Sequence, residues 1–140
     1  MRNEEKRSGR CLLIGAGGYI GKALLEALEG EPVDALLITR EQILRRLADG
    51  SETAPLPNEE SPRRQILREF SEEGPFRVIY AAGLTDVGSC VEDPERSLEL
   101  NVHLLERHLD EISPPACSQF IYISTGLVYG DQHKSCLLYT

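Results

Sequence analysis

Tryptophan is missing from this sequence of 140 residues, methionine occurs once, and aromatic residues make up only 6%. A core must therefore be built mainly from aliphatic side chains, and the apolar total of 41% is enough for about one domain. Long apolar runs are also missing. The charged start, Met1 to Arg10, leads into only four apolar residues before Gly15, too few for a signal peptide or for the about 20 that span a bilayer. Positive charge is in deficit, with 15 Lys and Arg against 23 Asp and Glu and a net charge of -8. The acids are spread without a long block, which argues against a broad nucleic-acid footprint and leaves room for a local phosphate site. Four cysteines, Cys11, Cys90, Cys117 and Cys136, show no C-x-x-C spacing and no His pair nearby. Free thiols in a reducing compartment are the plain reading. A cytoplasmic protein with no metal, no nucleic-acid partner and no membrane partner is expected.

Glycine, by contrast, is concentrated. Gly15, Ala16, Gly17, Gly18, Tyr19, Ile20 and Gly21 follow the apolar run Cys11 to Ile14 and precede the helical pattern of Lys22 to Glu29. A strand that ends in glycines and opens a helix leaves backbone N–H groups at the positive end of the helix dipole, which suits a pyrophosphate. Gly15 allows the tight turn, Gly18 lets phosphate oxygens reach the backbone, and Gly21 lets helix and strand pack closely. The spacing is G-x-x-G-x-x-G, since Ile20 stands where G-x-G-x-x-G would need glycine. An ordinary glycine-rich turn is the bland alternative.

Along the rest of the chain, strand and helix signals alternate. Ile20, Leu24, Ala27 and Leu28 mark one face of a helix that stops at Gly30, and Val33 to Ile38 reads as a strand covered on both faces. Thr39 with Gln42 resembles a capping box for a helix burying Ile43, Leu44 and Leu47 and ending near Gly50. Ser51 to Ser61 is polar and broken, so a strand there is short or absent. Ser61 and Pro62 begin a helix with Ile66, Leu67 and Phe70 inward, ended by Gly74 and Pro75. Phe76 to Ala82 is a strand. Asp93 caps a long helix whose apolar stripe is Leu98, Val102, Leu105, Leu109 and Ile112, and Phe120 to Ser124 is the last strand. This order predicts an α/β fold, a parallel sheet with helices on both faces and right-handed crossovers. Ligands of such sheets bind at the carboxyl ends of the strands, where Gly15 to Gly21, Thr39 to Arg40, Ala81 to Thr85 and Ser124 to Gly130 fall.

Four motifs in this order, GAGGYIG at 15 to 21, YAAG at 80 to 83, LELNVHLLE around Asn101 and FIYISTGLVYGD at 120 to 131, make the chain resemble the extended short-chain dehydrogenase/reductase family of nucleotide-sugar epimerases, dehydratases and reductases. The resemblance implies a Rossmann-type doubly wound sheet, incomplete at its C-terminal side, over residues 10–131, between a flexible segment 1–9 and a divergent tail 132–140. It further implies an NAD or NADP cofactor over Gly15, Gly17, Gly18, Tyr19, Ile20 and Gly21, with Ala81, Ala82 and Gly83 lining its ribose side. Thr125 would take the place of the catalytic Ser or Thr, and Asn101 would match the helix asparagine that supports the site. Small residues at 81 to 83 are equally explained by close packing, Asn101 by a tie between backbone segments, and Ser124, Thr125 and Tyr129 by strand-end hydroxyls. His103 and His108 read as surface or boundary histidines.

Departures from the family pattern carry information too. The family's Tyr-x-x-x-Lys pair, its proton-transfer group, has no counterpart, because Tyr129 is followed at that spacing by His133. Such a chain resembles a truncated product, inert alone, whose complete form would act on a nucleotide sugar and leaves room for a homodimer. A non-catalytic cofactor-sensing subunit is the alternative. After the threonine stand Gly126 and Leu127, where the family's dehydratases resemble Asp and Glu, so a reductase or epimerase is expected. Thr39 and Arg40 lie where an acid would select NAD, and a guanidinium there favours the 2′-phosphate of NADP. Thr39 as a helix cap and Arg40 as a solvated side chain is the competing reading.

Overall fold

The computed structural model describes residues 9–112 and 114–124. Residues 1–8, the tail 132–140, and Thr125, Gly126, Leu127 and Tyr129 lie outside the described residues. The elements in chain order are β1 (Gly9–Ile14), α1 (Tyr19–Ala27), β2 (Val33–Ile38), β3 (Gln42–Arg46), β4 (Leu56–Pro57), α2 (Glu60–Glu72), β5 (Phe76–Tyr80), α3 (Val87–Glu92), α4 (Pro94–Leu98), a π-helical segment (Glu99–His103), α5 (Leu104–Glu111) and β6 (Cys117–Tyr122). Among the described residues no helix is long and apolar enough to cross a membrane.

One sheet of order β4-β3-β2-β1-β5-β6 organises the fold. Strands β2, β1, β5 and β6 are parallel, and their ends are level: Ile14 pairs with Ile38 and Tyr80, and Tyr80 with Tyr122. Alternation along β1 sends Leu12 and Ile14 to one face and Cys11 and Leu13 to the other, so both faces of the central strand are buried. Helices α2 and α5 cover the first face through Leu67, Phe70 and Ile112; α1 covers the second through Leu24 and Leu25. Burial pushes the Cys11 thiol up to about 11, leaving it protonated and unreactive.

Three expectations need correction. The segment after Thr39 is strand β3, antiparallel to β2, so the sheet is mixed rather than all parallel. Ile43 joins the α2-covered core while Leu44 packs on the opposite face and Leu47 is exposed, a period of two. Arg45 on β3 makes a paired contact with Asp34 on β2, Nε to Oδ1 at 3.0 Å and Nη2 to Oδ2 at 2.7 Å, which a helix there could not make. Arg10 and Glu73 complete this hub, with Arg10 lying 4.0 Å over the Phe70 ring. Burial pushes the Asp34 carboxyl up, but the two guanidiniums prevail and hold it low.

In α1 the partly buried leucines are Leu24, Leu25 and Leu28; Ile20 is 43% exposed and Ala27 is exposed, because the helix leans on the sheet at Gly21. The long helix is likewise not uniform. Asp93 caps it as expected, accepting from the Arg96 N–H at 2.9 Å, but a π-helical turn at Glu99–His103 shifts the register. Leu105, His108 and Ile112 then face inward, and Leu98, Val102 and Leu109 remain exposed.

His108 is consequently buried, at 2% exposure, with its ring edge-on to Tyr80 at 5.7 Å between centroids. Neither ring nitrogen meets a partner among the described residues, nor does the Tyr80 hydroxyl. Beside it, Arg63 of α2 grips Glu111 of α5 with two bonds of 2.9 and 2.7 Å. Burial first, then the Arg63 charge, pushes His108 down to about 4. In the unfolded chain the imidazole regains its ordinary value of about 6.5, so the unfolded state binds more protons between these values. Stability should therefore fall from pH 6.5 towards pH 4 by up to about 3 kcal/mol. Urea titrations of the parent and His108→Leu at several pH values check this, and the substitution should flatten the slope above pH 5.

Candidate functional site

Level strand ends gather the loops that follow them. The Gly15 and Ala16 N–H groups both donate to the Ile38 carbonyl, at 2.8 and 3.1 Å, and the Ala81 N–H donates to the Ile14 carbonyl at 2.8 Å. The glycine turn, the Thr39 turn and the Ala81 loop are thus joined at one edge.

Two of the glycines are demanded by packing. Gly15 has φ +90°, and a Cβ there would lie 2.5 Å from the Ala81 carbonyl carbon. A Cβ on Gly21 would lie 2.1 Å from the Gly15 oxygen and 2.8 Å from the Ala16 Cα. Gly18 is different. Its φ of -78° suits any residue, and a Cβ would meet only the Gly15 oxygen, at 3.5 Å. The protein leaves room beside Gly18, and that room adjoins the start of α1. There the Tyr19, Ile20 and Gly21 N–H groups engage no acceptor among the described residues, and the cap residue Gly18 offers no side chain. Free donors at the positive end of a helix dipole suit an anion. Gly17 is exposed and faces the Thr39 methyl group, which a Cβ would approach to 3.5 Å.

The family model for the NAD dependent epimerase/dehydratase family matches residues 11–137. The chain belongs to this family. Seven chains of solved structures match as well. Among them, RMD from Pseudomonas aeruginosa, solved in complex with NADPH, is 26% identical, with a TM-score of 0.61 over 93% of this chain and 40% of its own. The present chain spans about two fifths of that protein's length. No curated protein matches. The extended dehydrogenase/reductase resemblance and the Rossmann-type architecture are borne out, over the N-terminal portion that binds NAD(P) in this family.

Within this family portion, the remaining candidate residues divide by what they touch. Thr39 lies at the end of β2, and its Oγ1 accepts from the Gln42 N–H at 3.1 Å while donating to the Gln42 carbonyl at 3.0 Å. It caps a hairpin turn rather than a helix. Arg40 is exposed on that turn, and its guanidinium enters no ion pair among the described residues. Ala81 and Ala82 are half-buried, and Ala82 packs on the core, so close packing accounts for part of their small size. Asn101, in the π-helical turn, accepts from the Leu84 N–H at 2.8 Å and donates to the Leu84 carbonyl at 3.1 Å. A Cβ on Gly83 would lie 2.8 Å from its Oδ1. The side chain ties the loop after β5 to the helix. Thr125, one position past Ser124 in the sequence, lies outside the described residues.

Asn58 went unread in the sequence. Its Nδ2 donates to the Thr39 carbonyl at 2.7 Å and its N–H to the Glu41 carbonyl at 3.1 Å. Only the antiparallel return of β4 brings it there, and that pairing left no local signal.

The glycines make a separable prediction. Gly21→Ala should cost several kcal/mol, since backbone must move to admit the methyl group, on the order of 3 kcal/mol or more. Gly18→Ala should leave the melting temperature nearly unchanged and weaken NADPH by about tenfold or more, a loss of roughly 1.4 kcal/mol. Thermal melts with calorimetric titration separate the two.

Proposed function

We propose that this chain forms the dinucleotide-binding part of a nucleotide-sugar reductase or epimerase, and that it takes NADP(H) in preference to NAD(H). The observation that carries the reading is the open glycine edge: helix N–H groups beside Gly18 that meet no acceptor among the described residues, at the carboxyl ends of parallel strands. When bound, the dinucleotide supplies or accepts the hydride.

The chain's own residues bind and orient. Gly17, Tyr19, Ile20 and Gly21 present main-chain donors to the pyrophosphate in this reading, Gly15 and Gly18, whose own N–H groups are engaged within the fold, shape the turn around it, and α1 adds its dipole. Thr39 and Arg40 face the adenosine ribose, with the guanidinium on the 2′-phosphate. Ala81, Ala82 and Gly83 leave space on the ribose side, and Asn101 holds that loop in place. Thr125 hydrogen-bonds the reacting oxygen of the sugar. The NADPH in RMD from Pseudomonas aeruginosa supports the cofactor, and Arg40, which enters no ion pair among the described residues, supports the choice of phosphate. Gly126 and Leu127 carry no titratable group, so elimination of water lacks an acid and a base here, whereas reduction or epimerisation needs neither at these positions. No tyrosine of this chain has lysine four residues on. By itself the chain binds and does not turn over.

Loss of one charged phosphate contact of about 1.5 to 3 kcal/mol should weaken NADP(H) roughly tenfold to a hundredfold in Arg40→Ala and leave NAD(H) nearly unchanged. Calorimetric titration of both cofactors against both proteins decides it. Equal loss for the two, or tighter NAD(H) in the parent, overturns the preference. For the reaction, a protein that joins this chain to a Tyr-x-x-x-Lys segment, assayed with a panel of nucleotide sugars, should give reduced or epimerised sugars. A 4-keto-6-deoxy product overturns that part.

A further inference from the structure

Strand β4 pairs Pro57 with Gln42 and Leu56 with Ile43, so the next residue, Asn58, arrives level with the turn between β2 and β3. There it holds the two carbonyls on either side of Arg40, with Nδ2 on Thr39 O at 2.7 Å and the main-chain N–H on Glu41 O at 3.1 Å. The turn is closed from within by the Thr39 N–H on Gln42 O at 2.9 Å and by Thr39 Oγ1, which also accepts from the Glu41 N–H at 3.4 Å. Arg40 thus lies between two peptide groups anchored from another element, Thr39–Arg40 and Glu41–Gln42, while the Arg40–Glu41 peptide is held within the turn by Thr39 Oγ1. Its own side chain is exposed and meets no carboxylate among the described residues, so the direction in which it leaves the chain is set by that main chain.

Asn58 Oδ1 is buried and meets no donor among the described residues. An amide at this position therefore carries a desolvation cost, and the bond it returns is the one to Thr39 O. The turn also abuts the glycine edge, through the Thr39 methyl group against Gly17.

We propose that Asn58 is a positioning residue for cofactor selection, holding the Arg40 main chain so that the guanidinium meets the 2′-phosphate. The inference rests on the reading that Arg40 makes that contact. Asn58 itself touches no part of the dinucleotide.

The test titrates NADPH and NADH against the 140-residue chain and its variants Asn58→Ala, Asn58→Asp, Arg40→Ala and Arg40→Ala combined with Asn58→Ala, with melting curves for each. Asn58→Ala removes the orphaned oxygen together with the donor, and Asn58→Asp keeps the shape but cannot donate. Each should weaken NADPH by about tenfold and NADH by less than about twofold, and Asn58→Ala should have no further effect on NADPH once Arg40 is gone. Equal weakening of both cofactors, or failure of both variants to fold, makes Asn58 merely structural and overturns the proposal. So does full independence from Arg40 in the double variant. If Arg40→Ala shifts the cofactor ratio and the Asn58 variants do not, the Asn58 assignment falls and the cofactor reading stands. If Arg40→Ala leaves the ratio unchanged, the cofactor reading falls and this proposal with it.

Discussion

The carbonyl oxygen of Gly15 occupies the space into which any side chain at residue 21 would grow, and the ligand edge depends on that contact. Because nothing separates them, α1 starts directly against the end of β1, and its first N–H groups lie at the sheet rather than a side chain's length above it. Gly15 also lacks a side chain on the side of Ala81, so β5 and its loop close in as well. The Ile38 carbonyl, taking both the Gly15 and Ala16 N–H groups, draws in β2. Four elements meet backbone to backbone. Donors gathered that closely, with no side chain to screen them, suit an anion even on a chain of net charge -8.

Such a requirement was legible because it is local. A glycine forced by a contact six residues away leaves its mark within one short window, and so does a helix cap such as Asp93. The strand after Thr39 shows the limit. Over five residues Ile43 and Leu44 satisfy a helical and an alternating pattern alike, and the Thr39 hydroxyl on the Gln42 N–H is the same first bond in a capping box and in this turn. What decides between them is Asp34 and Glu73, the distant partners of Arg45, and no window holds both. For the same reason Asn58 could not be read, since a pairing of two residues in β4 delivers it. The helix bearing Asn101 was legible in extent and cap but not in register, because one π-helical turn redistributes every residue after it. His108 moved from the surface to the core by that shift alone.

The two ends of the sheet are closed by different chemistry. At the amino end Arg10, Arg45, Asp34 and Glu73 form a charged hub, stacked on Phe70 and capping the end of α2 through the Phe70 and Gly74 carbonyls. At the carboxyl end the ties are amides: Asn101 on both polar groups of Leu84, and Asn58 on Thr39 and, through its N–H, on Glu41. Either chemistry can satisfy backbone groups left over where strands stop. The charged solution is stronger where partners are paired and partly buried, as they are at the hub.

Its absence from the ligand edge follows from what that edge must do. A carboxylate in place of Asn58 or Asn101 would put negative charge beside the helix N–H groups and compete with a phosphate for them, or neutralise Arg40. Neutral amides donate and accept with the same reach and add no charge to the field of the helix dipole and the Arg40 guanidinium. Glu41 shares the turn with Arg40, yet the two form no ion pair among the described residues, and both side chains are exposed. Among the described residues the ion-pair hub therefore stands at the end of the sheet where it holds the fold together, and amides make the ties at the end where they do not compete with an anion.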